Sequence, residues 1–143
     1  MMMNTGCRFD EIVLVDDNYI DNMINKKFLS RLEMSDEITM FTKPQEVMDW
    51  AKSVQYHPES KGRKLLLLDL NMPEMSGFDL LKNFQSEHPE VLEEYKVIIL
   101  SSSGAASDVQ KASRNKAVVS FIQKPLSKEI VQQVINPLAL DYS

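Results

Sequence analysis

The stretch LLLLDLNMPEMSGFDLL, residues 65–81, places four leucines directly before a carboxylate, Asp69, and follows it with residues that favour turns. A continuous apolar run of this length is typical of a parallel strand that helices cover on both faces. In open parallel α/β sheets, ligands bind outside the carboxyl ends of the strands. The stretch therefore predicts a central strand that ends in a charged residue at the ligand-binding edge of the sheet.

Four other short apolar or β-branched runs alternate with stretches of helical spacing. The predicted strands are 11–15, 38–41, 64–68, 96–100 and 118–122, of which 38–41 is the weakest. The first predicted helix has an apolar stripe made of Ile20, Met23, Ile24, Phe28, Leu29 and Leu32. Four further stripes begin at Val47, Phe78, Val109 and Ile130, whereas 54–63 and 86–95 are predicted as polar connections. Strand then helix, five times, predicts a doubly wound α/β fold with right-handed crossovers.

Composition excludes several classes of protein. A chain of 143 residues with 43% hydrophobic content is expected to form one domain with a proper core. A formal charge of -5 argues against direct nucleic-acid binding. No apolar segment approaches the roughly 20 residues that span a bilayer, and neither a signal peptide nor a disulfide partner for Cys7 is present. We therefore expect a cytoplasmic protein without a membrane partner.

Polar side chains follow four of the five predicted strands, where parallel strands bring their carboxyl ends together. They are Asp16 and Asp17, Asp69 and Asn71, the serines 101–103, and Lys124 with Pro125. Taken singly, each has an ordinary explanation as a helix cap, a turn residue or a solvated charge. Together they predict one ligand site, because all of them suit the same ligand.

Charge indicates which ligand that is. Three carboxylates at one edge repel one another unless a cation lies between them. Oxygen ligands without a nearby His or usable Cys favour Mg²⁺, which is often completed by a phosphoryl oxygen. Asp69 can then act as a covalent phosphoryl acceptor, while the Lys124 ammonium neutralises charge and the Ser101 hydroxyl contacts the new phosphoryl group.

With these residues in place, the chain resembles the receiver domain of two-component response regulators. The resemblance rests on Asp16-Asp17, Asp69 in LLLLDLNMPEMSG, Ser101 after VIIL, and Lys124-Pro125. It covers residues 10–136, which leaves 1–9 as a predicted disordered leader and 137–143 as a C-terminal tail. It implies a flavodoxin-like (CheY-like) three-layer α/β/α sandwich with a five-stranded parallel sheet of order 2-1-3-4-5.

The resemblance also implies a role for each matching residue. Asp69 would be the phosphoacceptor, with Mg²⁺ held by Asp17, by Asp16 largely through water, and by the backbone carbonyl of Asn71. Ser101 would be the switch hydroxyl, although the serine run leaves Ser102 as an alternative. The remaining matches are the switch aromatic Phe121, the cis bond at Lys124-Pro125 and the turn glycine Gly77.

Three features depart from the family pattern. The segment from Ser101 to Lys124 is one residue longer than the resemblance leads us to expect. Asn115-Lys116-Ala117 stands where Gly-Ala is usual, and Asn tolerates the left-handed conformation that a glycine would supply. Phe121 has no hydroxyl where many relatives have Tyr, so its rotation can respond to packing but not to a new hydrogen bond.

As a receiver, the chain would be a regulatory phosphoacceptor and not an enzyme. A sensor histidine kinase or a histidine phosphotransfer protein would supply the phosphoryl group. The fourth predicted helix, the fifth strand and the fifth helix would then switch binding to an unidentified partner protein, and a phosphorylation-dependent homodimer is one form that this output could take. The alternatives are a haloacid-dehalogenase-type phosphatase, which would want an acid where Asn71 stands, and a non-phosphorylated pseudo-receiver scaffold.

Overall fold

The computed structural model describes residues 8–60 and 63–140. Its centre is a five-stranded sheet in which every neighbouring pair is parallel and the strand order is 2-1-3-4-5, as predicted. The strands are β1 Glu11–Val15, β2 Ile38–Phe41, β3 Lys64–Asp69, β4 Lys96–Ser101 and β5 Val118–Gln123. Asp69 and Ser101 are therefore the last residues of two central strands.

Helices cover both faces of this sheet. They are α1 Tyr19–Arg31, α2 Pro44–Ala51, α3 Gly77–Glu87, α4 Pro89–Glu94, α5 Ala106–Ser113, α6 Lys128–Ile130 and α7 Asn136–Leu140. A π-helical turn, Val131–Ile135, joins α6 to α7, and a single 3-10 turn, Pro58–Ser60, precedes β3. No helix in the described part of the chain is both long and apolar enough to cross a bilayer.

The four leucines of β3 explain why the sheet has three layers. All four are fully buried. Successive strand residues point to opposite faces, so Leu66 and Leu68 join a core under α2 and α3, whereas Leu65 and Leu67 join a second core under α1 and the C-terminal helices. A strand buried on both faces has to be apolar at every position, and that is why β3 shows no alternation.

The predicted apolar stripe of α1 is wrong in its first turns. Ile20 and Ile24 are 62% and 59% exposed, whereas Asn22 and Asn25 face inward at the same end of the helix. Only Leu29 of the predicted stripe is fully buried. The physical reason is that the first turn of α1 lies against the strand ends, where main-chain groups accept hydrogen bonds and apolar side chains would not satisfy them.

Two predicted polar segments contain packed structure instead. The connection predicted over 86–95 holds the helix α4, whose Val91 is fully buried. At the N-terminus, Arg8 forms an ion pair with Asp36, and Phe9 is 3% exposed, although both fall in the predicted leader. Residues 1–7 of that leader lie outside the described residues.

The predicted C-terminal tail likewise overlaps structure. Residues 137–140 continue α7, in which Ala139 is fully buried and the carbonyl of Leu138 accepts a hydrogen bond from Lys96 Nζ at 2.8 Å. The C-terminal helix therefore packs against the core through Leu138 and Ala139. Residues 141–143 lie beyond the part that the structure describes.

The segment between Ser101 and Lys124 contains a β-bulge. Val97 pairs with Val118 but its neighbour Ile98 pairs with Ser120, so Val119 has no opposite residue on β4. Val119 is 45% exposed on this edge strand. Asn115 does not adopt the left-handed conformation, because its φ is not positive. Its side chain instead accepts a hydrogen bond from the Ala117 N–H at 3.0 Å.

Candidate phosphoacceptor site

Three carboxylates meet at the carboxyl edge of the sheet. Asp16 and Asp17 follow β1, Asp69 ends β3, and one carboxylate oxygen from each lies within 4.8 Å of the others. Asp16 and Asp69 are buried, whereas Asp17 is exposed. An oxygen-only set with one open side matches the coordination that Mg²⁺ prefers, so these residues fit the ion that the sequence predicts.

Asn22, which the sequence analysis did not single out, fixes the backbone beneath this cluster. Its Nδ2 donates to the carbonyl of Asp16 at 3.1 Å and to the carbonyl of Phe41 at 2.9 Å. The Asp16 N–H also donates to the Phe41 carbonyl, at 3.1 Å. Asn22 therefore joins the ends of β1 and β2, and no local pattern signals this because its two acceptors lie six and nineteen residues away.

Lys124 reaches into the cluster from the loop after β5. Its Nζ lies 2.6 Å from Asp16 Oδ2, 3.1 Å from Asp69 Oδ1 and 3.6 Å from Asp21 Oδ2 on α1. Burial acts to lower the pKa of Lys124, but the hydrogen bond and charge of Asp16, together with the charge of Asp69, raise it above its usual value. The ammonium therefore stays charged. The bond from Lys124 to Pro125 is cis, as the family resemblance implied.

The surroundings of Asp69 disfavour its ionised form. Burial, and then the negative charge of Asp16, raise the pKa of Asp69 to about 6, although Lys124 and the Asn71 N–H act to lower it. The carboxylate is thus destabilised by its surroundings while a cation lies beside it. Additional positive charge at this edge would relieve that cost.

The predicted switch residues lie on the neighbouring strands. Ser101 is fully buried at the end of β4, with its Oγ 3.5 Å from Asn71 Nδ2 and accepting a hydrogen bond from the Ser103 N–H at 3.1 Å. Ser102, the alternative hydroxyl, is exposed and lines a cleft together with Ile24 and Lys124. Phe121 is half-buried on β5 and packs against the core under α3.

Gly77 allows the loop after Asp69 to close. Its N–H donates to the Leu70 carbonyl at 3.1 Å, and a Cβ at this position would lie 2.9 Å from the backbone carbonyl oxygen of Asp69. Only a residue without a side chain therefore fits so close to the backbone of Asp69.

The Gly77→Ala substitution is expected to lower the free energy of unfolding by roughly 1 to 3 kcal/mol, because the added methyl group displaces backbone. The matched control is Gly104→Ala, whose new Cβ would meet only the Gln123 Oε1 at 2.8 Å, the end of an exposed, flexible side chain. Urea unfolding followed by Trp50 fluorescence measures both. Equal losses in the two variants would contradict this role for Gly77.

The geometry agrees with comparisons to known proteins. The family model of the response regulator receiver domain matches residues 12–136, which is most of the chain. The chain belongs to the family of response regulator receiver domains. The match runs from the second residue of β1 to the first residue of α7, and it includes the three clustered aspartates and Lys124.

Curated relatives and solved structures agree with this membership. The receiver is 28% identical over 126 residues to chemotaxis protein CheY1 of Helicobacter pylori, covering 88% of this chain and 94% of that protein. It is also 28% identical to the two-component response regulator ORR1 of Oryza sativa, of which it spans 57%. A response regulator structure from Cytophaga hutchinsonii has the same fold, with a TM-score of 0.78, 22% identity and coverage of 92% of this chain and 97% of that one.

Proposed function

We propose that this receiver accepts a phosphoryl group on Asp69 from a phosphohistidine of a sensor histidine kinase or a histidine phosphotransfer protein. The observation that carries the proposal is the convergence of Asp16, Asp17 and Asp69 with the Lys124 ammonium at one edge of the sheet. Membership of the receiver family supports the same chemistry, because two-component receivers act in signal transduction.

In the transfer step, an Asp69 carboxylate oxygen attacks phosphorus, and the bond between phosphorus and the histidine nitrogen breaks. The departing imidazole takes the electron pair of that bond and is left neutral or gains a proton. Asp16, Asp17, Asp69 and the Asn71 carbonyl would hold Mg²⁺, which when bound supplies positive charge to the phosphoryl oxygens. Lys124 adds a second positive charge beside Asp69.

The same site would convert occupancy into movement. Once the phosphoryl group is present, Ser101 and Lys124 gain a common partner, and the Ser101 hydroxyl would give up its present contacts with Asn71 and Ser103. The buried position of Ser101 supports it over the exposed Ser102 as the switch. A change of this kind only has to bias two states that differ by a few kcal/mol.

The output face would comprise α5, β5 and the C-terminal helices α6 and α7. These are the fourth helix, fifth strand and fifth helix of the sequence-based prediction, renumbered because α4 was not predicted. An open cavity of about 280 Å³ lies between α5 and β5 and is lined by Val109, Ala112 and Phe121, among others. Rotation of Phe121 would change the shape of this cavity, which a partner protein could detect.

The phosphatase alternative has no comparable support. Such an enzyme requires an acidic residue two positions after its nucleophile as the general acid and base. Asn71 occupies that position and cannot transfer a proton. A pseudo-receiver scaffold would lack the acceptor, an acidic residue or the lysine, and all of these are in place.

The test is incubation with acetyl phosphate and Mg²⁺ followed by mass spectrometry of the intact chain. We expect the mass to rise by one phosphoryl group with Mg²⁺ and to stay unchanged in EDTA. Hydroxylamine should release the adduct, and borohydride reduction should map it to the peptide that contains Asp69. Steady hydrolysis of phosphate esters without an adduct would favour the phosphatase, and a mass that never changes would favour the scaffold.

A further inference from the structure

Asp21 is a fourth carboxylate at the site, and among the described residues its ion pair is with Lys124. Its Oδ2 lies 3.6 Å from Lys124 Nζ, and it belongs to the first turn of α1. Its side chain is 44% exposed, whereas Asp16 and Asp69 are buried. It is not part of the three-carboxylate cluster that could hold a metal ion.

A comparison of two helix starts shows why Asp21 is available to Lys124. Both α1 and α3 have a capping side chain, Asn18 or Ser76, and an aspartate three residues later. In α3 the capping box is complete, since Asp79 Oδ2 accepts the Ser76 N–H at 3.2 Å. In α1 the equivalent Asn18 N–H is already donated to Asp16 Oδ1 at 2.9 Å.

The consequence is that Asp21 does not form the capping-box hydrogen bond to the helix N-cap that Asp79 forms in α3. Asp16 already accepts the Asn18 N–H, so the Asp21 carboxylate does not bind it. Among residues 8–60 and 63–140, the one ion pair of Asp21 is with Lys124. The Lys124 ammonium is thus shared among Asp16 at 2.6 Å, Asp69 at 3.1 Å and Asp21 at 3.6 Å.

We propose that Asp21 is a positioning residue that holds the Lys124 ammonium toward α1 in the unphosphorylated receiver and so weakens its engagement of a phosphoryl group on Asp69. The inference rests on the proposed function, because it assigns Lys124 to the phosphoryl group. When Lys124 moves to that group, its attraction to Asp21 is reduced. Removing the charge of Asp21 would therefore favour the phosphorylated arrangement.

The experiment measures binding of beryllofluoride, a stable mimic of the aspartyl phosphoryl group, to the full chain in Mg²⁺. We expect Asp21→Asn to bind it about threefold more tightly than the native chain, which is the scale of one partly exposed ion pair. The matched control is Asp79→Asn, which makes the same change of charge at the same helix position but has its carboxylate in a capping box. Its affinity should stay at the native value.

A double-variant cycle separates action through Lys124 from simple repulsion between Asp21 and the anionic ligand. In a Lys124→Met background, Asp21→Asn should no longer change the affinity for beryllofluoride. An undiminished gain in that background would overturn the proposal, because the effect would then be one of charge alone.

A second readout applies even where Lys124→Met abolishes binding. The NMR signal of the Lys124 side-chain nitrogen in the unliganded receiver should shift in Asp21→Asn and stay fixed in Asp79→Asn, and an unmoved signal in Asp21→Asn would overturn the proposal. If the native chain itself fails to bind beryllofluoride, the proposed function fails. If the native chain binds but Asp21→Asn and Asp79→Asn are alike, only the role of Asp21 fails.

Discussion

The Asp69→Asn protein is expected to gain no phosphoryl group from acetyl phosphate and Mg²⁺ under conditions that fully modify the native chain. An amide nitrogen or oxygen is a poor nucleophile toward phosphorus, and the other carboxylates of the cluster, Asp16 and Asp17, would be occupied by the metal ion. Intact mass spectrometry measures the incorporation. If the variant and the native chain gained equal mass, the acceptor would lie elsewhere.

The same variant should be more stable than the native chain at neutral pH in EDTA. A measured gain in stability would also establish that the variant is folded. The pKa of Asp69 is raised from 3.8 to about 6, so the folded state binds this proton more tightly than the unfolded state. Stability therefore falls as the pH rises from about 4 through 6, and the cost is fully present above the folded pKa. The uncharged amide of the Asp69→Asn variant would avoid that cost, which amounts to roughly 1 to 3 kcal/mol.

The pH dependence distinguishes this electrostatic gain from a packing effect. The difference in the free energy of unfolding between Asp69→Asn and the native chain should shrink as the pH falls from 7.5 toward 4, because the native carboxyl becomes neutral. Mg²⁺ should reduce the difference at pH 7.5, since the ion stabilises the ionised native cluster by binding it. A gain that is constant with pH would contradict the raised pKa.

The sheet and its functional edge follow from local patterns. Apolar runs identified all five strands, and β3, β4 and β5 extend only one residue beyond their predicted ends. Because parallel strands align their carboxyl ends, the placement of Asp16, Asp17, Asp69 and Lys124 at one edge followed from the strand assignments alone. The bulge at Val119, in contrast, was not predicted.

Other features depend on contacts that no local pattern encodes. Periodicity assigned Ile20 and Ile24 to the buried face of α1, but that face is set by Asn22, which binds carbonyls of two strands. The helix α4 was missed because PEVLEE is mostly polar and carries only two apolar residues. Its last residue, Glu94, is buried and paired with His57 and Lys64. These partners are too distant in sequence for local spacing to indicate the contacts.

The Lys64→Met protein is expected to lose about 3 kcal/mol of stability, because it leaves a buried charge without its cation. Glu94 is 1% exposed, its Oε2 lies 2.7 Å from Lys64 Nζ, and its Oε1 accepts the His57 N–H at 2.7 Å. Burial acts to raise the pKa of Glu94, but the hydrogen bonds of Lys64 and His57 lower it below its usual 4.5. This stabilisation is therefore present above pH 4.5 and is lost as the pH falls through the lowered pKa.

Urea unfolding followed by Trp50 fluorescence measures the loss, since Trp50 packs edge-on against Tyr95, the residue after Glu94, with ring centroids 5.3 Å apart. The matched control is Lys52→Met, which breaks an exposed ion pair with Asp49 of 3.6 Å and should cost less than about 0.5 kcal/mol. Adding Glu94→Gln to Lys64→Met should restore part of the stability, because the unpaired charge is then removed. A loss in Lys64→Met no larger than that in Lys52→Met would contradict this prediction. It would indicate that Glu94 is neutral in the folded chain, and the stability of the protein should then not decline as the pH falls below 4.5.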